Sequence, residues 1–261
     1  MKIQFDKYQG AGNDFIIVDN RSGIYDLITT SQFHSMCNRF KGVGADGVIL
    51  IESHPVLDFE MRYFNSDGNL STMCGNGGRC AVAFAQRHNM ISKKTQFLAV
   101  DGPHEAELIS ETEVRLQMQD VDTLTPRDGA IITDTGSPHI VLPLDDIKSI
   151  NVKEEGAVIR YSKAFKTKGI NVNFIQKENP QTYAIRTYER GVEDETLACG
   201  TGAVAGALAM HFLGKTEGGT SLLMKALGGD LTIDFETAEQ GYKNIYLQGP
   251  ATFVYSGIIS I

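Results

Sequence analysis

Cys74 in "MCGNGGRCAVAFAQRH" and Cys199 in "ACGTGAVAGALAMHFLG" each stand directly before a glycine-x-glycine step that leads into a small, apolar run. Glycine weakens a helix interior and a reactive thiol is costly to keep, so a pattern that combines both needs a local reason. The first amides of a helix have no acceptor within it, and the macrodipole adds about half a positive charge at that end. A thiolate gains from this field, which draws a cysteine pKa from about 8.5 toward neutrality. Gly75, Gly77, Gly200 and Gly202 keep the amides bare, so that a carboxylate can approach closely.

One such site suggests a nucleophile or a redox thiol. Two suggest something narrower. If a carbon bearing a carboxylate lies between them, one thiolate takes its proton while the other thiol returns a proton from the opposite face, and the configuration inverts. The helix-start amides then stabilise charge that accumulates on the carboxylate. This chemistry needs no metal and no pyridoxal cofactor. A redox disulfide between the two cysteines is the alternative from another class, as is a ligand-binding module without catalysis. Cys37 and Cys80, inside helical stretches, read as small buried hydrophobes.

Other elements must position these starts. Alternating or β-branched segments predict strands at "KIQF", "FIIVD", "GVILIE", "FEMRYF", "EVRLQM", "NVNFIQ", "TYAIRTY", "NIYLQG" and "FVYSGIIS", with a hairpin turning at Gly228-Gly229. Helices are expected after Ser31 to near Phe40, after a cap at Asn151 with Glu154 three residues on, and after each of Cys74 and Cys199. The last two are apolar around most of their circumference and so belong inside protein, with Gly214 as a C-terminal cap. The expected class is α+β, with sheets curled around central helices.

The chain also repeats itself at about half its length. Asn13 and His139 match at an offset of 126, Asn65 and Glu189 at 124, and Cys74 and Cys199 at 125. Two similar domains follow, 1–117 with 250–261 returning to it, and 118–249, joined near residues 115–121. The cleft between such domains is the expected ligand site.

Composition narrows the partners. With 24 Lys and Arg against 32 Asp and Glu, the net charge of −8 argues against nucleic acid or an anionic membrane and favours a small ligand. No apolar run approaches the roughly 18 residues of a bilayer span, and the first ten residues lack a secretory core, so a soluble cytoplasmic protein is expected.

In order along the chain, "GAGNDF", "FNSDG", "MCGNGGRC", "GINVNF", "YERG" and "ACGTGA" resemble the diaminopimelate epimerase family over residues 10 to past 205. The paired cysteine motifs carry most of that specificity. The resemblance implies two pseudosymmetric domains, each a mixed, largely antiparallel sheet rolled around a central helix. It also implies cofactor-independent, two-base interconversion of LL- and meso-diaminopimelate, in lysine and peptidoglycan-precursor synthesis, and a homodimer. By motif, Cys74 and Cys199 would exchange the α-proton, while Gly75, Asn76, Gly200 and Thr201 hold the reacting carboxylate through backbone amides. Asn65, Asn171, Glu189 and Arg190 would meet the distal end, with Asn13 lining the site, and His139 and Glu189 would tune the thiols. Proline and hydroxyproline racemases typically carry histidine after the first C-G, where this chain has Asn76, and phenazine-type isomerases generally lack the cysteines.

The sequence departs from the family in places. The stretch from Glu189 to Cys199 is one residue longer than the usual E-R-G-x-G-E-T-x-A-C and is acidic where a glycine is usual. Ser137 stands where many members have asparagine, and Gly47 where some have glutamine. Gly78 replaces a common alanine, which predicts a looser first helical turn.

Overall fold

In the computed structural model, which describes Met1 to Ile261, the chain begins with β1 (Lys2–Gly10), β2 (Asn13–Asp19), α1 (Thr30–Cys37), β3 (Gly47–Glu52), β4 (Phe59–Asn65) and α2 (Gly75–Arg87). It continues with β5 (Lys94–Ala99), β6 (Gly102–Ser110), β7 (Glu113–Gln117), β8 (Leu124–Arg127), β9 (Ala130–Asp134), β10 (Pro138–Pro143) and α3 (Val152–Arg160). Then come β11 (Asn171–Asn179), β12 (Thr182–Glu189), β13 (Asp194–Thr196), α4 (Gly200–Phe212), β14 (Ser221–Ala226), β15 (Gly229–Thr237), β16 (Tyr242–Pro250) and β17 (Thr252–Ser260). The chain divides into two compact units, Met1–Leu116 with Gly249–Ile261, and Gln117–Gln248.

Within the first unit the strands run β17-β1-β2-β3-β4-β5-β6-β7, antiparallel except for the parallel pairs β2–β3 and β4–β5. The second unit repeats the scheme as β8-β9-β10-β11-β12-β14-β15-β16, with parallel pairs at β10–β11 and β12–β14 and the short β13 added to β12. Each sheet wraps its own helix. α2 contacts β1, β2, β3, β4, β6 and β17, and α4 contacts β9, β10, β11, β12, β14 and β15. Enclosure explains their composition. Gly75 through Ala85 of α2 and Gly202 through Met210 of α4 are all buried, and small side chains let the surrounding strands approach.

The central strands are apolar at consecutive positions because they are covered on both faces. Ile16, Val18, Val48 and Leu50 pack with Phe33 and Met36 of α1, while Phe15 and Ile49 point at α2, close to Gly77. In the second unit Ile140, Val172, Phe174 and Tyr188 pack with Val152 of α3, on the face away from α4.

Register refines the repeat. The row Ile16–Val48–Phe64 matches Ile140–Val172–Tyr188, each 124 residues later. Asn13 therefore corresponds to Ser137, and His139 to Phe15, not to Asn13 as the motif match suggested. Other expectations also shift. The first α-helix begins at Thr30 rather than after Ser31, because Thr29 and Gln32 form a capping box. The hairpin of β14 and β15 turns on Leu227-Gly228, since Ala226 pairs with Gly229. Asn151 caps α3 by accepting the Glu154 amide, and Gly214 leaves α4 with a φ of +68°. At Gly78 a Cβ would lie 2.4 Å from the Met73 methyl, which fills the space an alanine side chain would take. No helix is long and apolar enough to cross a membrane.

Candidate active site

Cys74 and Cys199 occupy the same structural position in their units, the N-cap of the enclosed helix, with matching extended backbones (φ −116°, ψ 115° and φ −117°, ψ 113°). Neither side chain caps its helix. Each carbonyl instead starts the helical ladder, Cys74 O accepting from Gly78 N–H and Cys199 O from Ala203 N–H. The amides of Gly75 and Asn76, and of Gly200 and Thr201, thus lie in the turn whose donors have no acceptor along the helix. Beyond this shared frame the two surroundings differ.

Around Cys74, Asn13 is the pivot. Its Oδ1 accepts from the Cys74 thiol at 3.5 Å and from Asn76 Nδ2 at 3.4 Å, while its own Nδ2 donates to Asp46 Oδ2 at 2.6 Å. The bond to Asp46 fixes the amide so that oxygen faces the sulfur. Asp46 is held by Arg39 at 2.7 Å, and Arg39 also binds Asp14, which pairs with the buried Lys7 at 2.7 Å. Burial raises the Asp14 pKa, but hydrogen bonds from Arg39 and Lys7 outweigh it and hold the carboxyl at about 2. Asn13 is thereby tied through Asp46 and Arg39 to Asp14 and Lys7. Asn65 ends β4 in an exposed turn, its carbonyl accepting from Gly68 N–H, and Gly47 pairs with it in the neighbouring strand.

Arg79 was not singled out by its sequence context, yet it is wholly buried on α2. Its donors go to carbonyl oxygens: Nη2 to Asn76 Oδ1 at 3.0 Å, Nε to Pro250 O at 3.2 Å, and Nη1 to Gly75 O at 3.4 Å. Burial lowers its pKa, and the Cys80 and Cys74 sulfurs oppose that shift. The guanidinium is therefore both the clamp on the Asn76 side chain and a cation within electrostatic reach of Cys74.

Around Cys199 the same rows of sheet carry polar side chains. Where the first unit has Phe15, Ile49 and Tyr63, the second has His139, Asn173 and Thr187, all buried. Asn173 receives Thr187 Oγ1 on its Oδ1 at 3.0 Å and donates Nδ2 to Ile140 O and to His139 Nδ1, both at 3.1 Å. With Nδ1 an acceptor, the proton of the imidazole sits on Nε2 and goes to Thr201 Oγ1 at 3.0 Å. Burial, with the Arg190 charge adding to it, pushes the His139 pKa down to about 3, so the ring is neutral. Thr201 in turn has its hydroxyl proton available for Cys199 Sγ at 3.5 Å. Only glycine fits at 202, since a Cβ would meet Asn173 Oδ1 at 2.4 Å and Cys199 Sγ at 3.3 Å.

A further group surrounds Asn171. Its Nδ2 donates to Ser137 Oγ at 2.9 Å and Pro138 O at 3.1 Å, and its Oδ1 accepts Arg190 N–H at 2.8 Å. The Arg190 guanidinium reaches Lys168 O and Ser137 Oγ, and Glu189 accepts from Thr196 Oγ1 at 3.0 Å. Asn173, Ser137 and Arg79 were absent from the sequence-derived set. "GINVNF" contained the signal for Asn173, a polar residue two positions beyond Asn171 and so on the same strand face. Cys37 and Cys80 are buried, and burial pushes both thiols up to about 12, so they stay protonated.

A family model described as diaminopimelate epimerase matches residues 5–124 and 131–254. Diaminopimelate epimerase of Flavobacterium psychrophilum is 48% identical over 253 residues, covering 97% of this chain and 98% of the relative. That of Chlorobaculum tepidum is 44% identical, covering 97% and 99%, and that of Aquifex aeolicus 38% identical, covering 99% and 98%. Among solved structures, a phenazine biosynthesis protein of the PhzF family from Bacillus anthracis aligns over both full chains with a TM-score of 0.75 at 15% identity. A probable proline racemase from Agrobacterium radiobacter aligns over 99% of this chain and 92% of its own with a TM-score of 0.67 at 14% identity. At such identities these two structures share the fold alone.

Proposed function

The chain belongs to the diaminopimelate epimerase family of isomerases, and from that membership we propose that it interconverts LL- and meso-diaminopimelate by a two-base exchange of the α-proton between Cys74 and Cys199. One observation supports this above the others: each unit places a cysteine at the N-cap of a buried, glycine-initiated helix, and each gives that cysteine a hydrogen-bonding partner of its own.

The two environments suit opposite protonation states. Asn13 offers Cys74 a carbonyl oxygen, which pairs with a thiol. Thr201, its acceptor side taken by His139, offers Cys199 a proton, which pairs with a thiolate. In the forward half-reaction Cys199 takes the α-proton and Cys74 delivers one from the other face. When the roles reverse, Cys74 carries the negative charge and the buried Arg79 cation stabilises it. His139 acts in this scheme as a neutral group that orients Thr201, and not as a charge. The amides of Gly75, Asn76, Gly200 and Thr201 hold the α-carboxylate and stabilise charge that develops there as the carbanion forms. Asn65, Asn171, Glu189 and Arg190 receive the distal amino-acid end. The scheme draws on no cofactor, and with it we infer, by analogy with the family alone, a cytoplasmic homodimer acting in lysine and peptidoglycan-precursor synthesis.

The purified enzyme with LL-diaminopimelate and reduced thiols, without added cofactor, should yield meso-diaminopimelate until both isomers are present at equilibrium, as read by chiral chromatography. Absence of turnover with thiols demonstrably reduced, or turnover of proline in its place, would contradict the proposal.

A further inference from the structure

The turn from Arg190 to Glu193 joins β12 to β13, follows Glu189 directly and leads toward Cys199, and it is where the sequence departs from the family pattern. Glu193 closes the turn with a φ of +59°, a left-handed conformation that costs a non-glycine residue energy, and its N–H donates to Glu189 O at 2.8 Å. Both carboxylate oxygens are engaged. Oε2 accepts from Tyr161 Oη and Tyr188 Oη, each at 3.0 Å, and Oε1 accepts from Gly191 N–H at 3.2 Å and faces Arg160 Nη2 at 3.3 Å.

Arg160 is the last residue of α3 and Tyr161 its C-cap, so the helix end is what grips Glu193. Two further contacts brace the same hairpin. Lys153 pairs with Asp194 at 2.6 Å, and Gly156 lies so close to Tyr188 that an added Cβ would sit 2.4 Å from the tyrosine Cβ. The grip reaches Arg190 through Gly169. A Cβ on that residue would lie 2.9 Å from Arg160 Cζ and 2.5 Å from Arg190 Cδ, so both arginine side chains occupy one narrow space over the glycine. The Arg160 guanidinium thus packs beside the Arg190 stem, and Glu193 is the carboxylate that holds Arg160 there.

We propose that Glu193 is a positioning residue for Arg190: held by Tyr161, Tyr188 and Arg160, it fixes the turn and the arginine stem so that the Arg190 guanidinium stands ready for the distal carboxylate of the substrate. The proposal rests on the epimerase function above. It assigns the acidic residue of the lengthened loop to substrate recognition and not to proton transfer.

The test compares Glu193→Ala, Glu193→Gly and Glu193→Gln with the parent enzyme. Loss of a charge-assisted anchor should raise KM for diaminopimelate about tenfold in the alanine and glycine variants, with kcat within about twofold. The glycine variant separates side chain from backbone, because it relieves the left-handed strain yet lacks the anchor. Glutamine keeps one carbonyl oxygen, which can accept from the tyrosines but not from Gly191 as well, so KM should fall between those of the alanine variant and the parent. In ligand-free enzyme, exchange of the Arg190 and Glu193 amide hydrogens should be about tenfold faster in the alanine variant. An unchanged KM in both the alanine and glycine variants overturns the proposal whatever the exchange shows. If the parent enzyme itself fails to epimerise diaminopimelate, the functional assignment falls separately, and unchanged amide exchange in Glu193→Ala then overturns the anchor on its own.

Discussion

Cys74→Ala and Cys199→Ala are each expected to lower kcat for epimerisation about 1,000-fold or more, since each removes one partner of a proton transfer that positioned acids and bases accelerate by about 10²–10⁴. Stability should change little, because neither side chain caps its helix and both are only partly buried. The two losses should differ in what remains. An enzyme with one thiol can still remove and return a proton on its own face, which exchanges the α-hydrogen with solvent and leaves the configuration intact. Cys74→Ala retains the sulfur that Thr201 equips as a thiolate, so it should exchange the α-hydrogen of one epimer readily. Cys199→Ala retains the sulfur that Asn13 equips as a thiol, so its exchange, on the other epimer, should be slower. Solvent exchange followed by NMR in each variant reads both effects, and near-normal epimerisation in either one would remove that cysteine from the mechanism.

Arg79→Met carries the second large expectation: a fall in kcat/KM of about 100-fold together with a loss of about 2–4 kcal/mol of stability. Methionine matches the arginine stem and removes a buried charge, which recovers its desolvation cost. Against that, Asn76 Oδ1, Gly75 O and Pro250 O all lose a donor, the first two within buried residues. Asn76 would then turn, and its contact with the Asn13 pivot would go with it. Chemical denaturation and steady-state kinetics in both directions separate the parts. If Arg79 also supplies charge to an ionised Cys74, kcat should fall more in the direction that uses Cys74 as base, while kcat/KM falls equally in both because the equilibrium constant is fixed. Parental kinetics in a variant of lowered stability would leave Arg79 a packing residue only.

The two units show how one scaffold yields unlike surroundings for its cysteine. Topology, helix start and cysteine backbone repeat, but the strand face opposite the first helical turn is apolar in one unit and polar in the other. At Gly77 a Cβ would meet Ile49 and Phe15, whereas at Gly202 it would meet Asn173 Oδ1 and the cysteine sulfur. In the proposed two-base exchange one thiol is ionised while the other is protonated, and these unlike surroundings would suit that difference.

Much of this architecture was legible in the sequence, for stated reasons. Consecutive apolar residues in "FIIV" and "GVILI" marked strands covered on both faces, and all-round apolar helices after Cys74 and Cys199 marked the enclosed pair. Strands β5 and β6 were not read, because the alternate positions they bury include Thr95, His104 and Ala106, which are polar or small and so weaken the apolar alternation. Arg79 escaped notice because a charged residue one turn into a helix ordinarily faces solvent, and only the complete sheet wrapped around α2 forces it inward. The offset of Asn13 to His139 was misjudged by two because the motifs lie at turns, whereas correspondence is fixed by strand register. Glu193 entered the sequence reading only as part of the acidic stretch that lengthens the loop. Its partners Tyr161 and Arg160 lie some thirty residues earlier, and no local pattern connects them.

The exchange of the α-proton between two sulfurs is tested most directly by running LL-diaminopimelate to partial conversion in deuterated water and measuring isotope at the inverted carbon. A proton taken by one thiol stays on that side, and the one delivered comes from a thiol already equilibrated with solvent. The first meso product formed should therefore carry deuterium at that carbon while unreacted substrate still carries protium. Meso product that keeps the original hydrogen would mean that a single group removes and returns it, and the two-cysteine account would be wrong.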